Sequence, residues 1–371
     1  MCPLNVPDVP VSPITGSIFS LADATQRRSD NFLPLRHLAA LLVIYGHSYA
    51  LSRHAPGDAD VLAKLMPGFY AGNFAVYLFF AISGFLVTLS LLRYQGPHWQ
   101  GIVRYVRNRV LRVYPAYLAC LLVCVFVVGA AFTTLPVGDY LSASGTRSYL
   151  MQNLQPVTLA WTLPGVFEGN AYPRVVNGTL WSLSLEVRWY FYLGLLAALT
   201  IVRRRWAFTV VALALVLFGA WEWWSGKADV NEYRALSQTY LIAALCAHWR
   251  DRIPVSHWLM LGFVAMAVSV HGSRWFGPAV VTGAIYFVLW AAYALPAMRW
   301  PGSRDYSYGL FLYGFPVQQS LVATFPEITP LALLPTATAC ALVLAAASWH
   351  WVERPALQWK GKRIGEALPA V

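Results

Sequence analysis

Long uncharged apolar runs alternate with short charged clusters along most of this chain. No Asp, Glu, Lys or Arg occurs within residues 65–92, 113–138, 277–298 or 328–352. Each run can contain the roughly 20 apolar residues that an α-helix needs to cross a hydrocarbon core of about 30 Å. The pattern therefore predicts an all-α, polytopic membrane protein, a bundle of about ten transmembrane helices. The predicted helices cover residues 33–52, 69–92, 113–133, 179–202, 206–224, 235–249, 256–271, 277–298, 306–324 and 330–351.

The composition of the 371-residue chain supports the bilayer as its solvent. Apolar residues make up 58% of the sequence and charged residues 12%, against about 25% charged residues in a typical soluble domain. A net charge of +11 could suggest nucleic acid, but the charges lie between apolar runs and form no basic face with interleaved aromatics. We therefore expect no nucleic-acid partner. Four of the five cysteines lie inside apolar runs, which indicates neither a metal site nor a disulfide framework.

Lys and Arg are distributed unequally between the two faces of a ten-helix scheme, whose even number places both termini on one side. Eighteen of the 27 basic residues lie on that side, seven on the other and two, Arg36 and Arg188, within predicted helices. Because cytoplasmic loops carry the excess of basic residues, both termini are predicted to be cytoplasmic. The scheme gives a flexible cytoplasmic segment 1–32, a membrane domain 33–352 and a cytoplasmic tail 353–371.

Arg36 and His47 stand out because an ionisable group inside a bilayer costs at least about 2.5–3.5 kcal/mol. They are eleven positions apart on the first predicted helix, a rotation of about 1100° and an axial separation of about 16 Å, so they share one face. A guanidinium suits a phosphate, and a histidine can transfer a proton near neutral pH. A donor held by phosphate at Arg36 and reacting at His47 would need a slender arm, as in coenzyme A. Alternatively, Arg36 reaches lipid headgroups and His47 is a structural polar residue.

Two further arginines, Arg109 and Arg112, lie three residues apart and are therefore neighbours on a helix surface at the predicted inner edge of the bilayer. Two adjacent guanidinium groups can bind a polyphosphate through paired hydrogen bonds. The alternative interpretation is a positive cluster in contact with anionic membrane lipids.

The fourth predicted helix carries Glu186 in its outer half, where an unpaired carboxylate is expensive. Ser182 and Glu186 share one helical face, and Ser184 and Arg188 share a second, because each pair is four residues apart. Partnership with Arg188 or with a facing histidine would relieve the cost and allow Glu186 to assist proton transfer. A structural polar contact between helices is the alternative for both Glu186 and Arg188.

Six sequence blocks follow one another along nearly the whole chain and contain these residues. They are LRHLAALLVIYGH (35–47), YLFFAISGFLVT (77–88), RVLRVYP (109–115), LWSLSLEVRWYF (180–191), SYGLFLYGFPV (307–317) and WVERP (351–355). In this ordered set the sequence resembles the integral-membrane acyltransferase-3 family.

The resemblance implies a ten-span bundle that takes an acyl group, usually acetyl from cytoplasmic acetyl-CoA, and passes it to a hydroxyl of an extracytoplasmic carbohydrate. By motif match, Arg36 and His47 correspond to the arginine–histidine pair of the family. Arg109 and Arg112 correspond to its inner arginine pair, and Glu186 to its acidic residue. We therefore expect His47 and Glu186 to be catalytic and the three arginines to bind acetyl-CoA. Weaker candidates for substrate binding are Ser182, Ser184 and Arg188.

The predicted enzyme is a membrane-bound O-acyltransferase of a bacterial inner membrane, with acetyl-CoA as donor, no metal, and membrane lipids around it. Its acceptor is expected to be exopolysaccharide or a lipid-linked repeat unit, with lipopolysaccharide O-antigen as the close alternative. His47 would act as general base on an acceptor hydroxyl that enters near the outer loop 134–178. Two other classes remain open: a membrane transporter, although the internal repeats usual in transporters are not found, and a structural scaffold.

Overall fold

The protein is described by a computed structural model that covers residues 19–27, 29–53, 59–155, 159–225, 232–298 and 304–359. The chain is predominantly helical, as predicted. The long helices are α1 (Phe32–Leu51), α2 (Ala71–Leu92), α3 (His98–Val123), α4 (Leu180–Ala198), α5 (Arg205–Trp224), α6 (Glu232–His248), α7 (His257–Ser269), α8 (Phe276–Tyr293), α9 (Ser307–Thr324) and α10 (Pro330–Ser348).

Each predicted segment overlaps one of these long helices. The largest difference is at α3, which begins at His98 rather than near residue 113. The arginines of this region belong to the first turns of the helix and not to a connection, because arginine is a good helix former and its charge can remain at the interface. α3 continues through a π-helical segment to Phe132, and α10 continues through another to Gln358.

Five helical segments combine the length and low polarity that a membrane crossing requires. Within the described ranges these are Ala71–Leu92, His98–Phe132, Arg205–Trp224, Phe276–Tyr293 and Pro330–Gln358. Ten crossings and cytoplasmic termini stay predictions.

The buried centre of the protein is formed around α2, which packs against α1, α6 and α8. Glycine permits the close approach of α2 and α6, because a Cβ at Gly84 would lie 2.4 Å from the carbonyl oxygen of Tyr240. Small residues at helix contacts are typical of membrane bundles. α5 behaves differently: its apolar side chains Val210, Leu217 and Phe218 are exposed, as expected for a surface that faces lipid.

The connection between α3 and α4 is partly structured and joins the bundle at α9. It contains short helices at Val137–Ser142 and Ser144–Asn153. Near its end, Asn177 Nδ2 donates to the carbonyl oxygen of Leu312 at 3.0 Å. This carbonyl has no helical donor because Pro316, four residues later, lacks an N–H. The proline thus creates an acceptor that holds the end of the connection.

The two predicted terminal segments are described only in part. Strand β1 (Phe19–Ser20) pairs in antiparallel register with β2 (Pro254–Val255), so residues 19–27 lie against the connection between α6 and α7. At the other end, helix Arg354–Gln358 continues α10. Residues 1–18 and 360–371 lie outside the described ranges.

We predict that Gly84→Ala lowers the apparent melting temperature of the protein in detergent. The added methyl group meets the backbone of α6, and overpacking of this kind costs about 1–3 kcal/mol. Gly262→Ala is the matched control, because this helical glycine has no atom within 4 Å of the added Cβ. It should leave the melting temperature unchanged or raise it slightly. Equal melting temperatures for the two variants would contradict the close helix contact.

Candidate active site

A cavity of about 160 Å³ lies between α1, α2, α3, α4 and α9. Five residues predicted from the sequence line it: Arg36, Arg109, Arg112, Ser182 and Glu186. Residues not predicted from the sequence complete the polar part of its wall; they are Ser83, Tyr190, Ser307 and Tyr308. Three cations and one carboxylate that are far apart in sequence therefore converge on one space.

The carboxylate of Asp305 connects two of the arginines. Its Oδ2 lies 2.6 Å from Arg112 Nη2 and 3.4 Å from Arg36 Nη1. Ser307 donates to Oδ1 through both its backbone N–H and its hydroxyl. Arg112 Nη1 is also 3.7 Å from Oε2 of Glu353, beyond α10. Asp305 thus holds α1, α3 and the start of α9 together.

Asp305 lies in the connection just before α9, and its charge follows from these partners. Burial alone would disfavour the carboxylate, but the guanidinium groups of Arg112 and Arg36 hold the pKa of Asp305 well below its usual range. Asp305 is not among the residues predicted from the sequence. In the sequence, the feature that distinguishes Asp305 is that it is the acidic residue next to the SYGLFLYGFPV block.

Arg109 differs from the other two arginines. Its guanidinium lies 5.5 Å from the ring centroid of Tyr190, and no ion pair of Arg109 with a carboxylate is found in the described part of the chain. It also lines a second cavity of about 50 Å³, with Tyr94, Arg104 and Asn108. Arg109 is therefore the least neutralised cation of the site and lies where the two cavities meet.

Glu186 is held by two hydroxyl groups. Its Oε1 accepts hydrogen bonds from Ser83 at 2.6 Å and from Tyr190 at 2.5 Å. Neither of the expected partners, Arg188 or a facing histidine, is found paired with Glu186 in the described ranges; the two hydroxyls are its hydrogen-bond partners instead. The i, i+4 spacing of Glu186 and Tyr190 is a signal in the sequence for one of these contacts; Ser83 comes from the facing helix α2 and has none.

His47 does not line the cavity. Its ring contacts the ring of Phe315, with centroids 5.1 Å apart, and its Nδ1 is buried with no hydrogen-bond partner in the described ranges. Gln318 fixes this part of α1, since its Nε2 donates to the Ile44 carbonyl at 2.8 Å and to Ser48 Oγ at 2.9 Å. The imidazole is thus held in place with one nitrogen unused.

Aromatic rings of α9 separate His47 from the cavity. Phe311 lines the cavity and contacts Phe79, with ring centroids 5.7 Å apart. Phe315 is one turn further along the same face of α9 and covers His47. Arg36 and His47 therefore lie on opposite sides of an aromatic layer, and the open path expected between them is interrupted by Phe311 and Phe315.

The remaining predicted residues divide between two faces of α4. Ser182 lines the cavity, and its hydroxyl donates to the Thr179 carbonyl at 3.2 Å. Ser184 and Arg188 do not line it. Across the described ranges no group of three or more potential metal-ligating His, Cys, Asp or Glu residues is found.

The helices and the site together define a helical membrane protein with an interior cavity lined by three arginines and a histidine beyond it. Comparison with protein families gives this class a name. The model of the acyltransferase-3 family, described as an acyltransferase domain, matches residues 35–350. The chain belongs to this family of acyltransferases.

Two named relatives cover nearly the whole chain. An O-acetyl transferase of Shigella phage Sf6 is 25% identical over 341 residues, which span 88% of this chain and 96% of the relative. Nodulation protein 10 of Rhizobium leguminosarum bv. viciae is 27% identical over 379 residues, with 91% and 96% covered. No solved structure matches the chain significantly.

We predict that Asp305→Asn destabilises the protein because it leaves Arg36 and Arg112 without their shared counter-charge. Leaving a buried charge without its partner lowers the free energy of unfolding by about 3 kcal/mol or more. Asp251→Asn, which breaks the exposed pair with Arg205, should cost less than about 1 kcal/mol. Apparent melting temperatures in detergent compare the two variants.

The destabilisation of Asp305→Asn relative to wild type should be present throughout the range from about pH 5 to 8. A carboxylate with a lowered pKa stabilises the folded state at every pH above its unfolded value, and this stabilisation is lost only as the pH falls toward the lowered value. A melting temperature for Asp305→Asn equal to that of Asp251→Asn would show that the buried ion pair does not support the fold.

Proposed function

We propose that this acyltransferase transfers an acetyl group from cytoplasmic acetyl-CoA to a hydroxyl of a carbohydrate on the outer side of a bacterial inner membrane. The observation that carries the proposal is the cavity in which Arg36, Arg109 and Arg112 converge. The helix that contributes Arg36 also bears His47 further along. The name of the phage relative, O-acetyl transferase, supports acetyl as the transferred group.

The proposed orientation follows from the basic residues. Ten crossings with both termini in the cytoplasm place the arginine-lined cavity near the inner leaflet, because the excess of Lys and Arg marks the cytoplasmic side. The connection 134–178 is then extracytoplasmic. The donor enters from inside and the acceptor from outside.

Arg109 is the first anchor for the donor phosphates, because it has no carboxylate partner in the described part of the chain and lines both cavities. Arg36 and Arg112 share a single carboxylate oxygen of Asp305 and retain hydrogen-bonding capacity for the same anion. The thioester arm then extends along α1, over the roughly 16 Å that separate Arg36 from His47. The rings of Phe311 and Phe315 must move aside for it to reach the imidazole.

The reaction needs one base and no further reactant. His47 removes the proton of the acceptor hydroxyl while the hydroxyl oxygen attacks the carbonyl carbon of the thioester. The new C–O ester bond forms, the C–S bond breaks, and the CoA thiolate takes the proton from the imidazolium. The products are an acetylated sugar and free CoA, and His47 returns to its neutral form.

Glu186 acts within the cavity and therefore on the donor side. Ser83 and Tyr190 fix its carboxylate beside the arginines, where its charge balances theirs after the phosphates have left. Ser182 remains in the proposed substrate site because it lines the same wall. Ser184 and Arg188 are not included, since they lie outside the cavity.

The acceptor that we propose is exopolysaccharide or its lipid-linked repeat unit, and O-antigen is the alternative with the same chemistry. Purified protein in lipid nanodiscs should transfer label from [14C]acetyl-CoA to the de-O-acetylated surface polysaccharide of the source strain. Label that never reaches the polysaccharide, although acetyl-CoA binds, would contradict acyl transfer and favour a transporter.

We predict that His47→Ala lowers the rate of acetyl transfer at least about 100-fold, the usual contribution of a general base. The protein should remain inserted and folded, which size-exclusion chromatography tests. His271→Ala, at an exposed position outside the site, is the control and should retain full activity. Full activity of His47→Ala would remove this histidine from the chemistry.

We predict that Arg109→Ala raises KM for acetyl-CoA by roughly 10- to 100-fold, because a hydrogen bond to a charged group contributes about 1.5–3 kcal/mol. Arg109→Lys should recover part of the loss, since it keeps the charge but not the planar fork. Arg203→Ala, in an exposed basic cluster away from the cavity, should leave KM unchanged. Steady-state kinetics with varied acetyl-CoA measure all three variants, and an unchanged KM for Arg109→Ala would exclude it as a donor anchor.

A further inference from the structure

The segment 167–175 of the outer connection is fixed to α9 by one buried side chain. Gln319 accepts a hydrogen bond from Asn170 Nδ2 at 2.8 Å through its Oε1. Its Nε2 donates to the carbonyl oxygens of Tyr172 at 2.8 Å and Val175 at 2.7 Å. All polar atoms of this amide are therefore used to hold one short piece of loop.

The backbone of the same segment is locally strained. Phe167 and Arg174 have φ values of 56° and 67°, in the left-handed region that non-glycine residues rarely adopt. The Arg174 N–H donates to the Phe167 carbonyl at 3.1 Å and closes the loop between them. Such strain persists where surrounding contacts enforce a conformation, and it is concentrated at functional sites.

This fixed loop presents Tyr172 to the exterior, one aromatic ring away from His47. The side chain of Tyr172 is 48% exposed, and its ring centroid lies 6.2 Å from that of Phe315 in an edge contact. Phe315 in turn covers His47. Tyr172 contacts Phe315, and Phe315 contacts His47. A single side chain, that of Phe315, therefore lies between the exposed tyrosine and the imidazole.

The position of the Phe315 ring depends on a glycine. A Cβ at Gly178, where the loop enters α4, would lie 2.6 Å from Phe315 Cε2. In this position the Phe315 ring packs between His47 and Tyr172, where exclusion of water would protect a bound thioester from hydrolysis. The ring must move for an acceptor hydroxyl to reach His47.

We propose that Tyr172 is the acceptor subsite, on which a sugar ring stacks, and that the Phe315 ring moves aside to bring the sugar hydroxyl to His47. The proposal rests on the function proposed above and identifies where its acceptor binds. A sugar is favoured because its C–H face packs on an aromatic ring while its hydroxyls bond to polar groups at the rim. Here the rim includes Arg53, whose guanidinium donates to the carbonyl of Gly169.

The first test is a kinetic comparison of Tyr172 variants in nanodiscs, with [14C]acetyl-CoA and the de-O-acetylated surface polysaccharide of the source strain. Tyr172→Ala should raise KM for the polysaccharide about tenfold, the scale of loss for a buried aromatic contact, and leave KM for acetyl-CoA unchanged. Tyr172→Phe and Tyr172→Trp should restore the wild-type value, since stacking needs the ring and not the hydroxyl. An unchanged polysaccharide KM for Tyr172→Ala overturns the subsite.

The second test needs no acceptor. In Phe315→Ala, diethyl pyrocarbonate added from outside should modify His47 faster than in wild type, as measured by mass spectrometry. Acetyl-CoA hydrolysis without polysaccharide should rise in parallel. Phe218→Ala, at a lipid-facing position of α5, is the control and should change neither. Equal modification of His47 in wild type and Phe315→Ala overturns the role of this ring.

The two proposals fail in different ways. If wild-type protein transfers no label to polysaccharide, the proposed function fails whatever the variants do. If it transfers label and the Tyr172 and Phe315 variants behave as wild type, only the acceptor subsite fails.

Discussion

A charged arginine inside a bilayer is costly unless a partner relieves the cost, and this constraint organises the centre of the protein. Asp305 meets Arg36 of α1 and Arg112 of α3 through one carboxylate oxygen, and Ser307 holds the other oxygen. α1, α3 and the start of α9, which form one part of the cavity wall, are thereby fixed relative to one another. One carboxylate serves two arginines and Arg109 has no ion pair in the described chain, so the charge of Arg109 is the least neutralised of the three.

α9 joins the charged inner part of the site to its outer part. Asp305 precedes its first turn, Phe311 borders the cavity, and Phe315 covers His47. Gln319, one turn further, fixes the outer loop. Phe311, Phe315 and Gln319 are each four residues apart and so follow one face of the helix. A single helix face thus carries part of the cavity wall, the ring that contacts the histidine and the anchor of the loop.

The sequence predicts the parts of this arrangement that depend on local pattern. Apolar runs locate the long helices, and the ordered blocks identify five residues that the structure brings to one cavity. Contacts between distant helices could not be predicted, because spacing along a chain does not encode them. Asp305 is such a case, since its meaning depends on arginines 269 and 193 positions away.

His47 shows the same limit of local pattern. Its placement on the face of Arg36 follows from helical geometry, but the rings that separate it from the cavity come from α9. Likewise, α3 begins fifteen residues before the predicted boundary, because charge alone does not distinguish a connection from an amphipathic helix that reaches the interface.

The account depends on the donor binding in the cavity at Arg109, with its acyl end directed toward His47. The most direct measurement is a cryo-electron microscopy map of the protein in nanodiscs with a non-hydrolysable ketone analogue of acetyl-CoA. We expect density for the phosphates at Arg109, Arg36 and Arg112, and an arm that passes Glu186 and ends beside the Phe315 ring. Density that lies wholly outside the cavity, or an acyl end that remains at the cytoplasmic surface, would contradict the account.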